Sequence, residues 1–416
     1  MIPKFNEYKE RWEVESRNTI EPGLDRMIEA LEKVGDPHKN LNIIHVAGTN
    51  GKGSTIAMME AMLSEHGLKT ACFYSPCFFD VHDQIQLNGR YISETQLDQL
   101  FTRVKQAGLS GFLTDFELLT VLAFMAFEEF KADIVLLEAG MGGRFDSTNV
   151  VTPLLSIIPS IAIEHEQFLG TTLREVAYHK AGIIKQGVPV IIGNLDDESL
   201  NVMKEECVKQ KTTCWIESKD FKLKQGVYRD FEGNQLDRIH IGLKGQHQLL
   251  NGAIAIRAIF YLLKLKNKTV DETKIRDALL NVSLQGRFEK INNQLILDGA
   301  HNPASIRVLV DTIKKEFPND PIHFFVGLIK GKNAVEILNI LEEIDAKFTF
   351  VDFPDERAMS AQNLLNLSNA TYKSVTKDPL GEIEKIFSEN SKIIVTGSLY
   401  LLANFRKKAL KMFKNI

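Results

Sequence analysis

The sequence predicts an α/β protein with two domains, the first of which is built on a doubly wound, mainly parallel β-sheet. Three observations support this prediction. From residue 41 to about residue 190, short and almost continuously apolar runs alternate with helical patterns, as expected for parallel strands buried on both faces. A second alternating series begins near residue 294. At 416 residues, the chain is also longer than one hydrophobic core usually supports.

The elements of the first domain follow from apolar periodicity and from helix-start signals. Five runs are predicted as its strands: LNIIHVA (41–47), KTACFYS (69–75), DIVLLEA (133–139), LLSIIPS (154–160) and VPVIIG (188–193). Helices are predicted over residues 54–65 and 116–130, and a third begins at Ser93, where Gln96 three positions later completes a capping box. Ligands of such sheets bind beyond the carboxyl ends of the strands, so functional residues are expected there.

Residues 212 to 245 have a different pattern. FKLKQGVYRDFEGNQLDRIHIGLKG alternates polar and apolar residues around turn-forming Gly and Asn, which predicts antiparallel hairpins. Two helices are expected next, from His247 to about Leu265 and from Asp271 to Asn281.

The series after residue 294 predicts a separate, smaller α/β domain of Rossmann-like form. Its strands are predicted at QLILDG (294–299), IHFFVG (322–327), KFTFVDF (347–353) and KIIVTG (392–397). Helices are predicted to begin at Pro303, Asn333 and Leu399. The join falls in LQGRFEKINN, so we expect domains at residues 1–286 and 294–416 with a linker at about 284–293.

Composition and charge exclude several classes of protein. The formal net charge is −4 and no basic stripe is visible, which argues against a nucleic-acid partner. The N-terminus lacks the apolar core of a signal peptide, and no run of about 18 apolar residues predicts a membrane span. The four cysteines lack the spacing of a metal site or a disulfide framework: Cys72, Cys77, Cys207 and Cys214. We therefore expect a cytoplasmic globular protein.

The stretch HVAGTNGKGST (45–55) lies between a predicted strand and a predicted helix and has the features of a phosphate-binding loop (P-loop). Its glycines let backbone N–H groups turn toward phosphate oxygens, Lys52 supplies a positive charge, and Ser54 or Thr55 supplies a hydroxyl for a metal ion. In the common form of this loop the hydroxyl residue directly follows the lysine, whereas here Gly53 separates them. The alternative is a glycine-rich turn that binds no ligand.

Ionisable residues follow two of the predicted strands, where a magnesium–ATP complex would need oxygen ligands. Glu138 ends the run DIVLLEA, and a buried carboxylate there is costly unless it is paired or bound to a cation. The alternative is an ion pair between Glu138 and Arg144. The next strand is followed by Glu164, His165 and Glu166, although a single histidine is more often structural than catalytic.

Two further ionisable residues lie in apolar segments. Lys180, in YHKAGIIK, is predicted to be desolvated, which favours loss of its proton. The alternative is a helix lysine whose amine reaches water. Glu117 stands at the start of the helix predicted over residues 116–130, where a carboxylate also serves as an N-terminal cap.

Together these stretches closely resemble one family, the folylpolyglutamate synthases, which in many bacteria also act as dihydrofolate synthases and which belong to the ATP-dependent Mur-type amide ligases. The resemblance spans nearly the whole chain, and the glycine between lysine and hydroxyl is this family's own variant of the loop. The stretches that support it are HVAGTNGKGST, SPCFFDVHDQIQLNG, FELLTVLAF, LEAGMGGRFDSTN, EHEQFLGTTLREVAYHKAGIIK, GQHQLLNGAIA, GRFE, LDGAHNP and GSLYL.

The resemblance implies roles for individual residues. ATP would be bound by Asn50, Gly51, Lys52, Gly53, Ser54, Asn251, Arg287 and Asp298. Two Mg²⁺ ions would be bound by Ser54, Ser75, Glu138 and His165. The folate or dihydropteroate would be bound by Phe116, Glu117, Phe145, Asp146 and Ser147. The catalytic set would be Lys52, Glu138, His165, Lys180 and His301. Lys180 would carry a carbamate, and a monovalent cation would complete the site.

The implied reaction is an ATP-dependent ligation. The γ-phosphoryl group would pass to a carboxylate of the folate or dihydropteroate, and the amine of L-glutamate would then displace phosphate from the acyl phosphate. Closure of the two domains would bring Arg287 and Asp298 to the nucleotide and exclude water. The resemblance also favours a monomer.

Two alternative functions remain open at the level of sequence. One is a Mur-type ligase that acts on another carboxylate, but such ligases usually carry a substantial domain before the phosphate loop, and only 44 residues precede His45 here. The other is a P-loop nucleotide-binding module without ligase activity, for which a second α/β domain would be unnecessary.

The chain departs from the family pattern at three positions. Cys77 and Gln84 stand where the family commonly has His and Arg, and His179 stands where it commonly has an acidic residue. We therefore expect altered handling of the acid substrate or of glutamate, with the alternative that the loop containing Cys77 and Gln84 faces solvent and tolerates change.

Overall fold

The structure is a computed structural model, and it describes residues 2–18, 23–330, 333–389 and 391–413. The chain forms two compact units. The first comprises Met1–Gly242 and Gln248–Val282, and the second comprises Leu243–His247 and Ser283–Ile416. The second unit's main segment thus begins at Ser283, beside the linker expected at about 284–293.

The first unit contains a large mixed sheet, a small hairpin sheet and the helices around them. Its strands are β1 (Ile43–Val46), β2 (Thr70–Phe73), β3 (Ile85–Leu87), β4 (Arg90–Tyr91), β5 (Ile134–Glu138), β6 (Leu155–Ile158), β7 (Val190–Ile192), β8 (Cys214–Ile216), β9 (Phe221–Lys224), β10 (Val227–Asp230) and β11 (Gln235–Leu236). Its helices are α1 (Phe5–Trp12), α2 (Asp25–Lys33), α3 (Lys52–Glu65), α4 (Glu94–Gln106), α5 (Asp115–Phe130), α6 (Glu166–Leu169), α7 (Leu173–Ala181), α8 (Asp197–Lys209), α9 (His247–Leu265) and α10 (Glu272–Asn281).

The described residues of the large sheet form eight strands in the order β4-β3-β2-β5-β1-β6-β7-β8. The strands from β2 to β8 in this order pair in parallel, which confirms the predicted doubly wound sheet, whereas β3 and β4 form an antiparallel edge that was not predicted. All five predicted strands are present. The expectation of hairpins over residues 212–245 was wrong at its start, because Cys214–Ile216 pairs in parallel with β7.

The rest of that stretch forms the predicted hairpins, a three-stranded antiparallel sheet in the order β11-β10-β9 among the described residues. The predicted helix after it is α9. Within the described part of the chain, α9 alone is long and apolar enough to cross a membrane, and 67% of its apolar window is buried in the protein. Such burial is typical of a helix in the core of a domain.

Two hydrophobic cores flank the large sheet. One packs α1, α2, α4 and α5 against residues of β2, β3 and β5. The other packs residues of α7 and α8 against β6 and β7. Helix α4 begins with the predicted capping box of Ser93 and Gln96. These layers hold the carboxyl ends of the central strands in place.

The second unit is a smaller α/β fold. Its strands are β12 (Glu289–Lys290), β13 (Leu295–Leu297), β14 (Ile322–Val326), β15 (Ala346–Val351), β16 (Tyr372–Thr376) and β17 (Lys392–Thr396). Its helices are α11 (Pro303–Glu316), α12 (Ala334–Leu341), α13 (Ala361–Leu367), α14 (Pro379–Ile386) and α15 (Leu399–Phe413). The described strands lie in the order β12-β13-β17-β14-β15-β16, and all but β12 are parallel.

A buried arginine on α9 fixes the hairpin sheet to the rest of the first unit. Arg257 is 1% exposed and lies 3.3 Å from Asp230 and 3.0 Å from Glu232. Its guanidinium carbon lies 4.1 Å from the ring centre of Trp215 and 4.9 Å from that of Phe231. Burial of this charge is tolerable because both carboxylates and both rings compensate it.

We expect Arg257→Met to lower the free energy of unfolding of the first unit by about 3 kcal/mol or more, because the carboxylate of Asp230 is left buried without its cation. Urea unfolding followed by tryptophan fluorescence measures this, since the chain's two tryptophans, Trp12 and Trp215, both lie in this unit. The control is Arg276→Met, which removes an exposed ion pair with Glu272 and should cost less than about 1 kcal/mol. Equal losses for the two variants would contradict the assignment.

Candidate active site

The phosphate loop connects β1 to α3, as the sequence predicts. Gly51 precedes α3 with a φ of +85°, and a Cβ there would lie 2.5 Å from Oδ1 of Asn251, so only glycine fits. The loop is fastened by backbone N–H groups: that of Thr49 donates to the carbonyl oxygen of Ser160 (3.0 Å), and that of Asn50 donates to its hydroxyl (2.9 Å). The predicted residue Gly53 lies in the first turn of α3. The loop is therefore fixed in position beside the segment that follows β6.

Two hydroxyls of α3 are buried beneath this loop. Ser54 is 4% exposed, and its hydroxyl oxygen lies 3.4 Å from Nε2 of Gln248. Oε1 of Gln248 accepts a hydrogen bond from the side-chain amide of Asn251 (3.0 Å). The hydroxyl of Thr55 is fully buried and has no hydrogen-bond partner among the residues that the structure describes. An unsatisfied buried polar group costs about 1–3 kcal/mol, so this arrangement favours a ligand-binding loop over an empty glycine-rich turn.

Glu138 and Lys52 face each other at the carboxyl end of the sheet. Glu138 is the last residue of β5, is 4% exposed, and has one carboxylate oxygen 3.8 Å from the amine of Lys52. Its other oxygen accepts a hydrogen bond from the backbone N–H of Ser75 (3.3 Å), which follows β2. The Lys52 amine also donates to the carbonyl oxygens of Gly48 (2.8 Å) and Thr49 (3.3 Å). A lysine, a carboxylate and the loop therefore converge at one point.

The alternative prediction, that Glu138 forms an ion pair with Arg144, is wrong. Arg144 donates instead to Glu206 on α8 (3.0 Å), and its guanidinium lies 4.1 Å from the ring centre of Tyr178. This arrangement ties the glycine-rich turn after β5 to α7 and α8.

Lys180 is deeply buried and paired with a carboxylate. Its side chain is 1% exposed, and its amine lies 2.7 Å from Oε1 of Glu164, so the alternative of a surface lysine is wrong. Burial lowers the pKa of Lys180 to about 8, although Glu164 acts to raise it. Burial acts to raise the pKa of Glu164, but Lys180 and Lys52 outweigh it and lower that pKa to about 2. Glu164 was named from the sequence among the ionisable residues after this strand, β6, but it was assigned no role and its pairing with Lys180 was not predicted.

His165 follows directly and precedes the short helix α6, with a φ of 48° and an exposed side chain. The segment that leads to it is bonded to the phosphate loop, since Thr49 donates its hydroxyl to the carbonyl oxygen of Ala162 (2.9 Å) and accepts from its N–H (3.0 Å). The sheet thus brings the residues after β6 to the same edge as the loop.

Three of the predicted folate-binding residues gather at the glycine-rich turn. A Cβ at Gly140 would lie 2.5 Å from the ring of Phe116 and 3.2 Å from Oδ2 of Asp146. The hydroxyl of Thr120 donates to the carbonyl oxygen of Phe116 (2.7 Å) and lies 3.4 Å from the hydroxyl of Ser147. Burial raises the pKa of Asp146. The carboxylate of Asp146 also accepts the N–H of Met141 (2.8 Å) and so supports the turn itself.

The other two residues of that set lie in different surroundings. Phe145 is 49% exposed, and its ring centre lies 5.9 Å from that of His179 on α7. Glu117 forms a capping box with Thr114 at the start of α5, as its cap position predicts, and pairs with Arg26 (3.0 Å). Its carboxylate is therefore already compensated.

The departures Cys77 and Gln84 are both buried, at 5% and 2% exposure, so the alternative of a solvent-facing loop is wrong for these side chains. Gln84 donates its amide to the carbonyl oxygen of Tyr74 (3.2 Å), and its Oε1 has no hydrogen-bond partner among the described residues. Burial raises the pKa of the Cys77 thiol to about 12.

The second unit contains the remaining predicted residues near the carboxyl end of β13. Asp298 accepts the N–H groups of Phe288 (2.8 Å) and Ala300 (2.9 Å). Burial raises the pKa of Asp298, and the charge of Arg287 acts in the opposite direction. Nδ1 of His301 lies 2.8 Å from the carbonyl oxygen of Gly299, so it carries the proton and donates.

Across the described ranges, no group of three or more His, Cys, Asp or Glu side chains forms a metal-binding cluster. Magnesium in nucleotide sites is usually held by one or two carboxylates together with phosphate oxygens and waters.

Comparisons with known proteins agree with this geometry. The Mur ligase middle domain family matches residues 46–259, and the dihydrofolate synthetase C-terminal domain family matches residues 281–408. A dihydrofolate synthase/folylpolyglutamate synthase of Bacillus subtilis is 35% identical over 94% of this chain and 95% of its own.

Two solved structures are similar over nearly their whole length. Folylpolyglutamate synthase from Thermotoga maritima has a TM-score of 0.82 at 31% identity and covers 98% of each chain. The enzyme of that name from Mycobacterium tuberculosis, complexed with ADP and AMPPCP, has a TM-score of 0.85 at 25% identity and covers 93% of this chain and 95% of its own. The chain therefore belongs to the dihydrofolate synthase/folylpolyglutamate synthase family of Mur-type ligases.

Proposed function

We propose that this protein is an ATP-dependent amide ligase that joins L-glutamate to a carboxylate of folate or dihydropteroate. The observation that supports this most strongly is the approach of Lys52 and Glu138 at the phosphate loop, within 3.8 Å of each other and both largely buried. This pair offers a cation for phosphate oxygens and a carboxylate for a metal ion at the same point. The names of the relatives supply the substrate class.

The reaction needs two steps because a carboxylate has a poor leaving group. The γ-phosphoryl group of ATP is transferred to a carboxylate oxygen of the acceptor, which gives an acyl phosphate and ADP. The amine of glutamate then attacks the acyl carbon, an amide bond forms, and the C–O bond to phosphate breaks. Lys52 neutralises charge on the transferring group, which is the main catalytic requirement of phosphoryl transfer.

The residues present fit a magnesium–nucleotide complex. Ser54, Ser75, Glu138 and His165 would hold two Mg²⁺ ions. Bound Mg²⁺ would neutralise the phosphate oxygens. Gly51 and Gly53 would direct backbone N–H groups at the phosphates, and Asn251 lies against Gly51. Because the backbone N–H of Asn50 donates to Ser160, Asn50 would contact the phosphates through its side chain.

The remaining assignments rest on the family resemblance. They are ATP binding by Arg287 and Asp298, a catalytic role for His301, acceptor binding by Phe116, Glu117, Phe145, Asp146 and Ser147, a monovalent cation, and a monomer that acts in the cytoplasm.

The function is tested by ADP release with a panel of acids. Dihydropteroate, tetrahydrofolate and a folate diglutamate are each supplied with MgATP, with and without L-glutamate. ADP release that requires both an acid of this panel and glutamate is the expected result. Release without either would indicate a nucleotide-hydrolysing module, and release only with an unrelated carboxylate would indicate another Mur-type ligase.

Glu138→Ala should reduce turnover by about 10²–10³-fold or more, because one preorganised charge at the transferring phosphoryl group is lost. The melting temperature without nucleotide should change little, since Lys52 keeps its hydrogen bonds to the carbonyl oxygens of Gly48 and Thr49 when the carboxylate is removed. The matched control is Glu217→Ala, which removes a buried carboxylate after β8 at the edge of the same sheet and should leave turnover nearly unchanged. A large fall in the melting temperature of Glu138→Ala would show a mainly structural role.

We expect Lys180 to react with carbon dioxide to form a carbamate, because its pKa of about 8 leaves a fraction of neutral amine near neutral pH. Carbon-13 NMR with labelled bicarbonate should show a new carbonyl signal that grows as the pH rises through about 8. Glu164→Gln should strengthen it, since loss of the paired carboxylate lowers the pKa of Lys180 further. Lys180→Arg should abolish it. No signal in the wild-type protein even at alkaline pH would contradict the prediction.

Restoring Cys77→His and Gln84→Arg together should change the preference between dihydropteroate and tetrahydrofolate by about ten- to a hundredfold in kcat/KM, the effect of one charge-assisted hydrogen bond. The physical reason is that both side chains are buried inside the loop that begins at Ser75 and Arg adds a charge and five donors. A melting curve establishes that the double variant folds. Unchanged values for both substrates in a folded variant would show that this loop does not set substrate choice.

A further inference from the structure

The loop from Ser75 to Gln84 is attached at its far end to the N-terminal segment. The backbone N–H of Val81 donates to the carbonyl oxygen of Pro3 (3.1 Å). The ring of His82 lies against Tyr8 on α1, with Nε2 2.9 Å from the hydroxyl oxygen. The two rings meet edge-on, with centres 5.7 Å apart. Both contacts join a loop at the predicted metal site to an N-terminal segment that is distant from it in sequence.

A chain of polar contacts continues from His82. Its Nδ1 lies 2.7 Å from Oδ1 of Asp80, which also accepts the His82 backbone N–H (3.0 Å). The other oxygen of Asp80 lies 2.9 Å from the amine of Lys4. Burial acts to raise the pKa of Asp80, but the hydrogen bonds from His82 and Lys4 hold it below its usual range. The carboxylate therefore accepts the Nδ1 proton.

These contacts fix the direction of the remaining hydrogen bond. With the Nδ1 proton of His82 donated to Asp80, Nε2 is the ring atom that accepts from the hydroxyl of Tyr8. Tyr8 is 2% exposed, and burial raises its pKa to about 12, so it stays a donor. The order Tyr8–His82–Asp80–Lys4 is thus a continuous donor–acceptor chain that begins and ends on the N-terminal segment and passes through the loop.

The loop itself is internally braced. The carboxylate of Asp83 accepts the backbone N–H groups of Phe78 (3.0 Å) and Phe79, and the N–H of Tyr74 donates to the carbonyl oxygen of Gln84 (2.9 Å) at the base of the loop. Because these hydrogen bonds restrict the loop at its base and at its middle, we expect a displacement of His82 at one end to move Ser75 at the other. Its first residue is Ser75, whose N–H donates to Glu138.

We propose that the chain Tyr8–His82–Asp80–Lys4, which we call the N-terminal clamp, is a positioning device that holds the Ser75 loop for metal–nucleotide binding. The inference rests on the proposed function, because it assigns Ser75 and Glu138 to that complex. The clamp residues are assigned as positioning residues: His82 and Asp80 belong to the loop, and Tyr8 and Lys4 hold it from the N-terminal segment.

The test compares two substitutions on the same helix. Tyr8→Phe removes the hydroxyl that donates to His82 but keeps the ring, which is stacked on Phe101 with centres 5.6 Å apart. Trp12→Phe removes a hydrogen bond of 2.6 Å from α1 to Asp98 on α4. This hydrogen bond is not part of the chain Tyr8–His82–Asp80–Lys4. The two variants each lose one hydrogen bond from α1, so only their effect on the loop should differ.

We expect Tyr8→Phe to speed amide hydrogen exchange across residues 75–87 in the nucleotide-free protein and to raise KM for MgATP by about two- to tenfold, with kcat changed less than twofold. Trp12→Phe should leave both unchanged. Asp80→Asn should resemble Tyr8→Phe, and the double variant should add little, because both break one chain. Equal exchange and KM for Tyr8→Phe and Trp12→Phe would overturn the inference, whereas a wild-type protein without glutamate-dependent ADP release would overturn the proposed function instead.

Discussion

Parallel pairing of β1 with β5 and β6 is the constraint on which the site depends. Its register sets Val46 beside Glu138 on one side and beside Ile157 on the other, so the chain leaves all three strands at one edge. The phosphate loop, the Glu138 carboxylate and the segment leading to Glu164 follow from this alignment. Because side chains alternate along a strand, a slip of one residue in β5 would turn Glu138 to the opposite face of the sheet.

The second constraint is charge balance in a buried space. Two cations and two anions lie at this edge, and each is paired: Lys52 with Glu138 at 3.8 Å and Lys180 with Glu164 at 2.7 Å. Unpaired charges there would cost several kcal/mol each. The looser pair is Lys52–Glu138 at the phosphate loop. An anionic ligand could pair with Lys52 there, and the cation bound to that ligand could pair with Glu138, so neither charge would be left uncompensated. In the tighter pair, Glu164 fixes the position of the Lys180 amine and acts to raise its pKa, which limits the fraction of neutral amine.

The elements that were predicted correctly are those whose apolar residues along the sequence coincide with the residues buried in the structure. The strand IIHV is buried at every residue, and the capping box at Ser93 depends only on residues three positions apart. Strand β16 was missed because its residues YKSVT are largely exposed at a sheet edge and carry no apolar run. The pairs Lys180–Glu164 and Arg144–Glu206 were missed because their partners lie 16 and 62 residues apart and meet only through helix packing.

The loop from Ser75 to Gln84 shows how a departure from a family pattern acts through shape. Gln84 is buried at the base of the loop. It donates to the carbonyl oxygen of Tyr74 across the base of the loop, while Cys77 is buried within it. Both side chains therefore set the internal packing of the loop, and α1 holds it from outside through His82. A loop constrained from both sides has few alternative conformations. We therefore expect a change at either side chain to alter the position of Ser75, whose backbone N–H donates to Glu138.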